Sequence, residues 1–262
     1  MTAPNLHAVI AVPAALVGLV IGSFVGVVAD RVPHGDSVVR PPSHCDACGT
    51  RLEARDNVPV VSYLLLRGRC RACGARIPPH VLAVELATAL LFTVLAWRLP
   101  TLWALPAYCV LAAGLVALSV VDMRLRRLPT PIVYWTAGLG GALLVIASAA
   151  TGDYTRLLDA AIGGAACFAA FFAVFFVVPK GMGFGDVRLA GLCGMFLGWL
   201  GLRVVPLGML AAFVIAGVPA LVLVVLGKAN RKSQFPFGPY LALGCLVGVC
   251  FGPAIVSALG LF

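Results

Sequence analysis

The sequence predicts an all-α polytopic membrane protein of about eight transmembrane helices, with a zinc-ribbon-like cysteine-rich loop between helices 1 and 2. Three observations predict it. Hydrophobic residues make up 61% of the chain and charged residues 11%, with a mean hydropathy of +1.04, too apolar for a soluble domain of this length. The apolar residues fall into blocks long enough to cross a bilayer. A single sizeable polar stretch interrupts them, and it carries four cysteines in two pairs.

The first block, Ala8 to Ala29, gives a helix over residues 8–29 that ends in GSFVGVVADRVP, Gly22 to Pro33, where small residues let another helix approach and Asp30 with Arg31 marks the exit to water. Met1 to His7 carries no lysine or arginine, so this span lacks the positive region of a removable signal peptide and is expected to stay as an anchor. Residues 30–79 form the polar segment. A second membrane region, 81–262, follows, with spans expected at Val81 to Trp97, Leu102 to Val121, Pro131 to Ala150, Leu158 to Val178, Val187 to Leu202, Val204 to Leu226 and Gly238 to Gly260. Val81 to Trp97 and Val187 to Leu202 are short for a hydrocarbon core of about 30 Å, and only Arg203 and Pro206 separate the sixth span from the seventh.

A net charge of +9 raises the question of nucleic acid, and its distribution answers it. With the N-terminus outside, all of the 19 basic residues except Arg98, Arg156 and Arg203 fall in cytoplasmic segments, as the positive-inside rule requires. The charge therefore reports topology, and no nucleic-acid partner is expected. Both termini then lie outside, while the polar segment and the span edges at Asp122 and Asp186 lie in the cytoplasm.

Within the polar segment, Cys45-Asp46-Ala47-Cys48 and Cys70-Arg71-Ala72-Cys73 are separated by 21 residues, and each is followed by a glycine, Gly49 or Gly74. Four thiolates suit tetrahedral zinc, each pair placing two sulfurs about 2.3 Å from one metal while the glycine relieves the turn. A redox pair and unmetallated thiols are the alternatives; disulfides disagree with a reducing cytoplasm. The metal's role is structural, since a segment with few large apolar residues has little core of its own. His34, His44 and His80 read as surface residues. Cys109, Cys167, Cys193, Cys245 and Cys250 sit in apolar runs and read as packing residues.

Five acidic positions need separate readings. Glu85, in HVLAVELATALL, lies about one turn inside its span and is either a site residue or a side chain reaching the interface. Asp153 and Asp159 flank an outer loop as solvated or helix-start charges. Asp122 ends the third span in VVDMRLRRLP, where pairing with Arg126 is one use. Asp186 stands in GMGFGDVR, Gly181 to Arg188, where Lys180, Gly183 and Gly185 make an irregular entry to the sixth span. Two carboxylates at one membrane edge suggest acid/base chemistry. A transporter or scaffold using them as an ion path, with a zinc loop that binds partners, is the rival reading. FPFGPYLALG, Phe235 to Gly244, opens the last span and serves either packing or the site.

Taken together these segments resemble the bacterial type IV prepilin peptidases: GSFVGVVADRVP, the double CxxC with NVPVVSYLLLRGRCRACGARI, VELATALLF, Asp122 with RRLP, GMGFGDVRLAG and FPFGPYLALG occur in the family's order. The resemblance implies a GxGD-type intramembrane aspartyl protease domain over 81–262, with Asp122 and Asp186 as the catalytic pair. It implies prepilin or pseudopilin substrates, whose basic leader stays in the cytoplasm while an apolar helix lies in the bilayer of the inner membrane. In many members the new N-terminal amine is then methylated with S-adenosylmethionine. Two positions depart from the family's pattern: Gly26 stands where asparagine is usual, and Arg188 where lysine often follows GxGD.

Overall fold

The computed structural model describes residues 3–177, 182–225 and 236–260. Its secondary structure is helical; among the described residues the only β pairing is two isolated bridges, His44 with Arg51 and Arg69 with Arg76. Packing divides the chain into two units, Met1–Trp97 and Arg98–Phe262.

In the first unit, α1 (Ala3–Arg31) and α3 (Pro79–Arg98) are the expected first two spans. They lie backbone to backbone. A Cβ on Gly18 would come within 2.6 Å of Ala89 Cα, and one on Gly22 within 2.7 Å of Glu85 Cα. Between them run the two cysteine turns and the short helix α2 (Val61–Leu65). The polar segment thus folds between two apolar helices.

The second unit holds α4 (Leu105–Leu125), α5 (Thr130–Thr151), α6 (Thr155–Val177), α7 (Phe184–Leu200), α8 (Val204–Val225) and α9 (Gly238–Ala258). The expected break between the sixth and seventh spans falls at Gly201, which adopts φ +137° just before Leu202 and Arg203. Six of the described helices are long and apolar enough to cross a membrane; α7 and the apolar part of α8 are shorter. The short length of α7 fits its place. It packs against α5, α6, α8 and α9, and ten of its 17 residues are buried. A helix enclosed by other helices does not have to match the lipid.

Buried polar groups tie the core at the Trp199 end of α7. Tyr108 donates from its hydroxyl to the Phe196 carbonyl at 2.6 Å, and Trp199 Nε1 donates to Ser148 Oγ at 3.0 Å, joining α4, α5 and α7. Aromatic side chains stay exposed at both ends of the unit, Trp103 and Tyr154 at one, Tyr134 and Trp135 at the other. That is the pattern of interfacial belts around a membrane-embedded bundle. The cysteines expected to pack do so in part, with Cys167, Cys193 and Cys245 buried and Cys109 and Cys250 half-buried.

One of the close helix contacts makes a stability test. A Cβ on Gly194 of α7 would stand 2.4 Å from the Gly163 carbonyl oxygen of α6, which neither backbone can yield easily. Gly194→Val is therefore expected to destabilise the unit by about 1–3 kcal/mol or more, the scale of overpacking, read as a lowered melting temperature in detergent.

Candidate active site and metal centre

Asp122 lies in the last turn of α4, and its side chain is 5% exposed. Its Oδ2 accepts a hydrogen bond from the backbone N–H of Gly238 at 3.0 Å. Gly238 is the first residue of α9, so this N–H has no carbonyl within its own helix. The approach leaves no room for a side chain: a Cβ on Gly238 would meet Asp122 Oδ2 at 2.7 Å and Leu128 Cδ2 at 3.1 Å. Arg126 does not engage the carboxylate in the way its spacing suggested. It caps α4 in the left-handed region at φ 50°, and its backbone N–H donates to the Asp122 carbonyl at 2.9 Å.

Asp186 sits in the first turn of α7, partly exposed. Gly183 is the N-cap, and its N–H donates to Asp186 Oδ2 at 3.1 Å while the Asp186 N–H returns to the Gly183 carbonyl at 3.0 Å. The carboxylate thus closes the start of its own helix, where negative charge is favoured. Gly185 is needed for packing, because a Cβ there would stand 2.8 Å from Leu128 Cβ. Leu128 therefore touches both the glycine beside Asp186 and the glycine that donates to Asp122. Lys180 and Gly181 lie outside the described residues, as does Phe235.

Arg188, two residues past Asp186, directs its guanidinium elsewhere. Its Nη1 donates to Thr130 Oγ1 at the start of α5, and its Cζ lies 4.5 Å from the Phe184 ring centroid and 5.9 Å from that of Tyr134. Phe237, next to Gly238, packs on Phe171 and Phe213 with ring centroids 6.3 and 5.6 Å away.

In the first unit the four cysteines converge. The Sγ atoms of Cys45, Cys48, Cys70 and Cys73 lie within 4.8 Å of one another, and those of Cys45 and Cys73 are 3.9 Å apart. Tetrahedral ligation with metal–sulfur bonds of about 2.3 Å needs sulfurs about 3.8 Å apart, so a small contraction closes the cluster on one ion. The two turns repeat one design. Cys45 N–H donates to the Thr50 carbonyl and Gly49 N–H to the Cys45 carbonyl; Cys70, Ala75 and Gly74 make the same pair of bonds. Gly49 and Gly74 take φ +69° and +71°, the conformation expected of the glycine after each pair. Hydrogen bonding between Cys48 and the Thr50 side chain and backbone lowers the Cys48 thiol to about 6, while Cys48 and the other neighbouring thiols push Cys73 up to about 11. His34 and His44 stay exposed, their Nδ1 atoms on the Asp30 and Pro42 carbonyls.

Glu85 is buried, not turned to an interface. Its Oε2 accepts from the Val60 N–H at 2.7 Å, and its side chain also bonds Ser23 of α1. Asp153 does take the solvated loop role, accepting from Thr155 Oγ1 at 2.6 Å and Arg156 Nε at 2.8 Å.

Residues 16–99 match the family described as Bacterial Peptidase A24 N-terminal domain, and residues 109–225 match the Type IV leader peptidase family. The chain belongs to the type IV leader peptidase family. A prepilin leader peptidase/N-methyltransferase of Stutzerimonas stutzeri is 32% identical over 94% of this chain and 92% of its own length. The protein of the same description from Pseudomonas aeruginosa is 31% identical over 92% and 90%. A type 4 prepilin-like proteins leader peptide-processing enzyme of Escherichia coli is 35% identical over 87% and 88%. No solved structure matches the chain. The cysteines and Glu85 fall within the N-terminal match and both aspartates within the leader peptidase match, while Gly238 lies beyond it. Membership favours an enzyme over the transporter or scaffold reading.

Sequence reasoning did not find Gly238, Leu128 or Val60 as neighbours of the acidic residues. The only available signal was the glycine in FPFG. For the cysteine cluster, elemental analysis of the purified chain is expected to give about one metal ion per chain, lost in a Cys45→Ser/Cys70→Ser double variant.

Proposed function

We propose that this chain is a membrane endopeptidase that removes the leader of prepilin or pseudopilin substrates, with Asp122 and Asp186 as the catalytic pair. One observation carries the reading: in a leader peptidase family member, Leu128 packs beside both Gly185, next to Asp186, and Gly238, whose N–H holds Asp122, so the end of α4 and the start of α7 bring two carboxylates to one edge of a helical bundle. Peptide hydrolysis without a covalent intermediate needs one carboxylate to take a proton from water and a second, protonated, to give one to the carbonyl oxygen or the leaving amine. Neighbouring carboxylates in a poorly solvated site share a proton and titrate together, so the two roles belong to the pair. Gly238 N–H holds Asp122 through one oxygen, and Gly183 N–H holds Asp186 through one, which leaves the second oxygen of each for water or substrate.

The charge asymmetry of the loops supports an inner-membrane protein with both termini outside, and with the cysteine-rich segment and the aspartates on the cytoplasmic side. A basic leader in the cytoplasm followed by an apolar helix in the bilayer would meet the aspartates at that boundary. The cysteine cluster holds structural zinc: four thiolates leave no open position for chemistry and suit a segment with a small core. The relatives' description as N-methyltransferases supports a second step, in which S-adenosylmethionine supplies a methyl group to the newly exposed amine.

Cleavage of a prepilin-like substrate in membranes tests the pair. Asp122→Asn and Asp186→Asn are each expected to leave folded protein and lower cleavage by about three orders of magnitude or more, as befits loss of a general acid or base. Full activity in either variant would remove the protease reading.

The glycines around the pair give a finer test. Gly238→Ala is expected to cost at least about tenfold in cleavage by displacing Asp122 from its donor. Gly183→Ala, whose Cβ would meet Asp186 Oδ2 at an ordinary 3.4 Å, is expected to stay within severalfold of the parent.

A further inference from the structure

The short helix α2, Val61–Leu65, has two unlike faces. Ser62 is buried, its Oγ donating to the Arg55 carbonyl at 2.7 Å and accepting from the Val58 N–H at 3.1 Å, and the Tyr63 ring lies against Gly68. Val61, Leu64 and Leu65, at spacings that share one side of a helix, form the other face and are 50%, 63% and 78% exposed. Single apolar side chains on a surface need no explanation, but a contiguous face does. Neither the cysteine turns nor the aspartate pair uses it.

The spans on either side set the height of this face. The Val60 N–H, immediately before α2, donates to Glu85 Oε2 at 2.7 Å, and Glu85 also bonds Ser23 of α1. Glu85 stands about 9 Å along α3 from Pro79, and Ser23 about 12 Å back from the end of α1 at Arg31. With 20 residues, α3 is about 30 Å long, the thickness of the hydrocarbon core, so it has no surplus length to leave standing in water. Val60 is therefore held at the level of the membrane boundary. At that level the spans themselves present apolar surface, since Phe24 next to Ser23 and Leu86 next to Glu85 are both exposed. Being only about 7.5 Å long, α2 stays close to the same level throughout.

We infer that α2 lies in the interfacial layer of the bilayer, with the Val61, Leu64 and Leu65 face set into lipid and Arg67 and Arg69 on the lipid phosphates. An interfacial helix buries its apolar face about 5–10 Å into the boundary between headgroups and acyl chains, which is the depth the Glu85 bond imposes. The charges agree. Arg67 and Arg69 follow α2 directly and are exposed, and long basic side chains at a membrane surface lay their stems on apolar groups while their heads reach anionic headgroups. Arg67 at φ 53° and Gly68 at φ 66° then turn the chain between this face and the second cysteine pair. The same two arginines disfavour a basic leader peptide as the occupant, because like charges repel. The cysteine-rich segment is thus fastened to the membrane at α2 as well as by its two spans.

Lipid contact is read on the full chain in nanodiscs of phosphatidylethanolamine and phosphatidylglycerol that carry a phospholipid with a diazirine in its acyl chain. After irradiation, lipid adducts are expected on Val61, Leu64 or Leu65 at a yield within about threefold of that on Leu86. Adducts on Leu86 with none on α2 overturn the inference. Leu64→Asp/Leu65→Asp places charge where lipid rejects it, and is expected to lower the α2 adducts at least about tenfold and to speed tryptic cleavage after Arg67 and Arg69. Adducts on Leu86 and the metal content are expected to stay at the parent's level. A variant that keeps its metal, its α2 adducts and its slow cleavage also overturns the inference; where the variant loses its metal, the adducts of the parent decide alone. With p-benzoylphenylalanine incorporated at Leu65, cross-links to lipid are expected. Cross-links to a second copy of the chain, or to an added prepilin-like peptide, in place of lipid give the face to that occupant and overturn its place in the membrane.

Discussion

A carboxylate set into an apolar helical protein must find its hydrogen-bond donors in the protein, and here the donors come from backbone that has none to spare except at helix starts. Asp122 takes the N–H that opens α9, Asp186 the N–H of its own N-cap, and Glu85 the N–H of Val60 at the start of α2. Helix interiors consume their amides; the first turn leaves them free and carries a partial positive charge. The three acidic residues are therefore each fastened to the backbone at a helix start. The geometry of the aspartate pair follows from this constraint, since Asp122 pins the end of α4 to the start of α9 across 116 residues of chain.

Such pinning demands small residues, and it gives the glycines of GMGFGD separate tasks. Gly185 is kept small by Leu128, which also presses on Gly238, so one leucine from the α4–α5 turn registers both carboxylate-bearing segments. Gly183 works through its N–H and tolerates a Cβ nearby. The space at Gly185 is thus filled by Leu128, while Gly183 keeps its own space open. Residues 178–181 lie outside the described structure and carry no part of this argument.

The spans were legible because hydropathy integrates over a whole helix: Pro131 to Ala150 became Thr130–Thr151, and Val81 to Trp97 became Pro79–Arg98. The cysteine turns were legible because their chemistry is local, each needing two thiols and a glycine within five residues. Glu85 stayed ambiguous because its position in the chain does not say which face of α3 is covered; the close approach of Gly18 and Gly22 decides that, and no periodicity announces it. The Gly238 contact was hidden for the same reason. A glycine among prolines and phenylalanines reads as a helix start, and only the packed bundle turns its N–H toward Asp122. In FPFG, Phe237 packs on Phe171 and Phe213 while Gly238 N–H bonds the Asp122 carboxylate.

The placement of Arg188 follows from the same electrostatics. A guanidinium paired with a carboxylate holds it ionised, and a pair that must share one proton cannot work with a partner so held. Arg188 is two residues from Asp186, close enough to be a threat to the proposed chemistry, yet its described contacts are the Thr130 hydroxyl and the faces of Phe184 and Tyr134. Residues two apart on a helix point to different sides, so the cation is turned toward α5 while the carboxylate turns back to its N-cap. The rings and the hydroxyl then give the charge a place to rest at the membrane edge without neutralising the aspartates. Lysine, a compact point charge, would make a weaker bond to the rings and none of the planar fork contacts, so arginine at this position tightens the α5–α7 junction while keeping the sign of the charge.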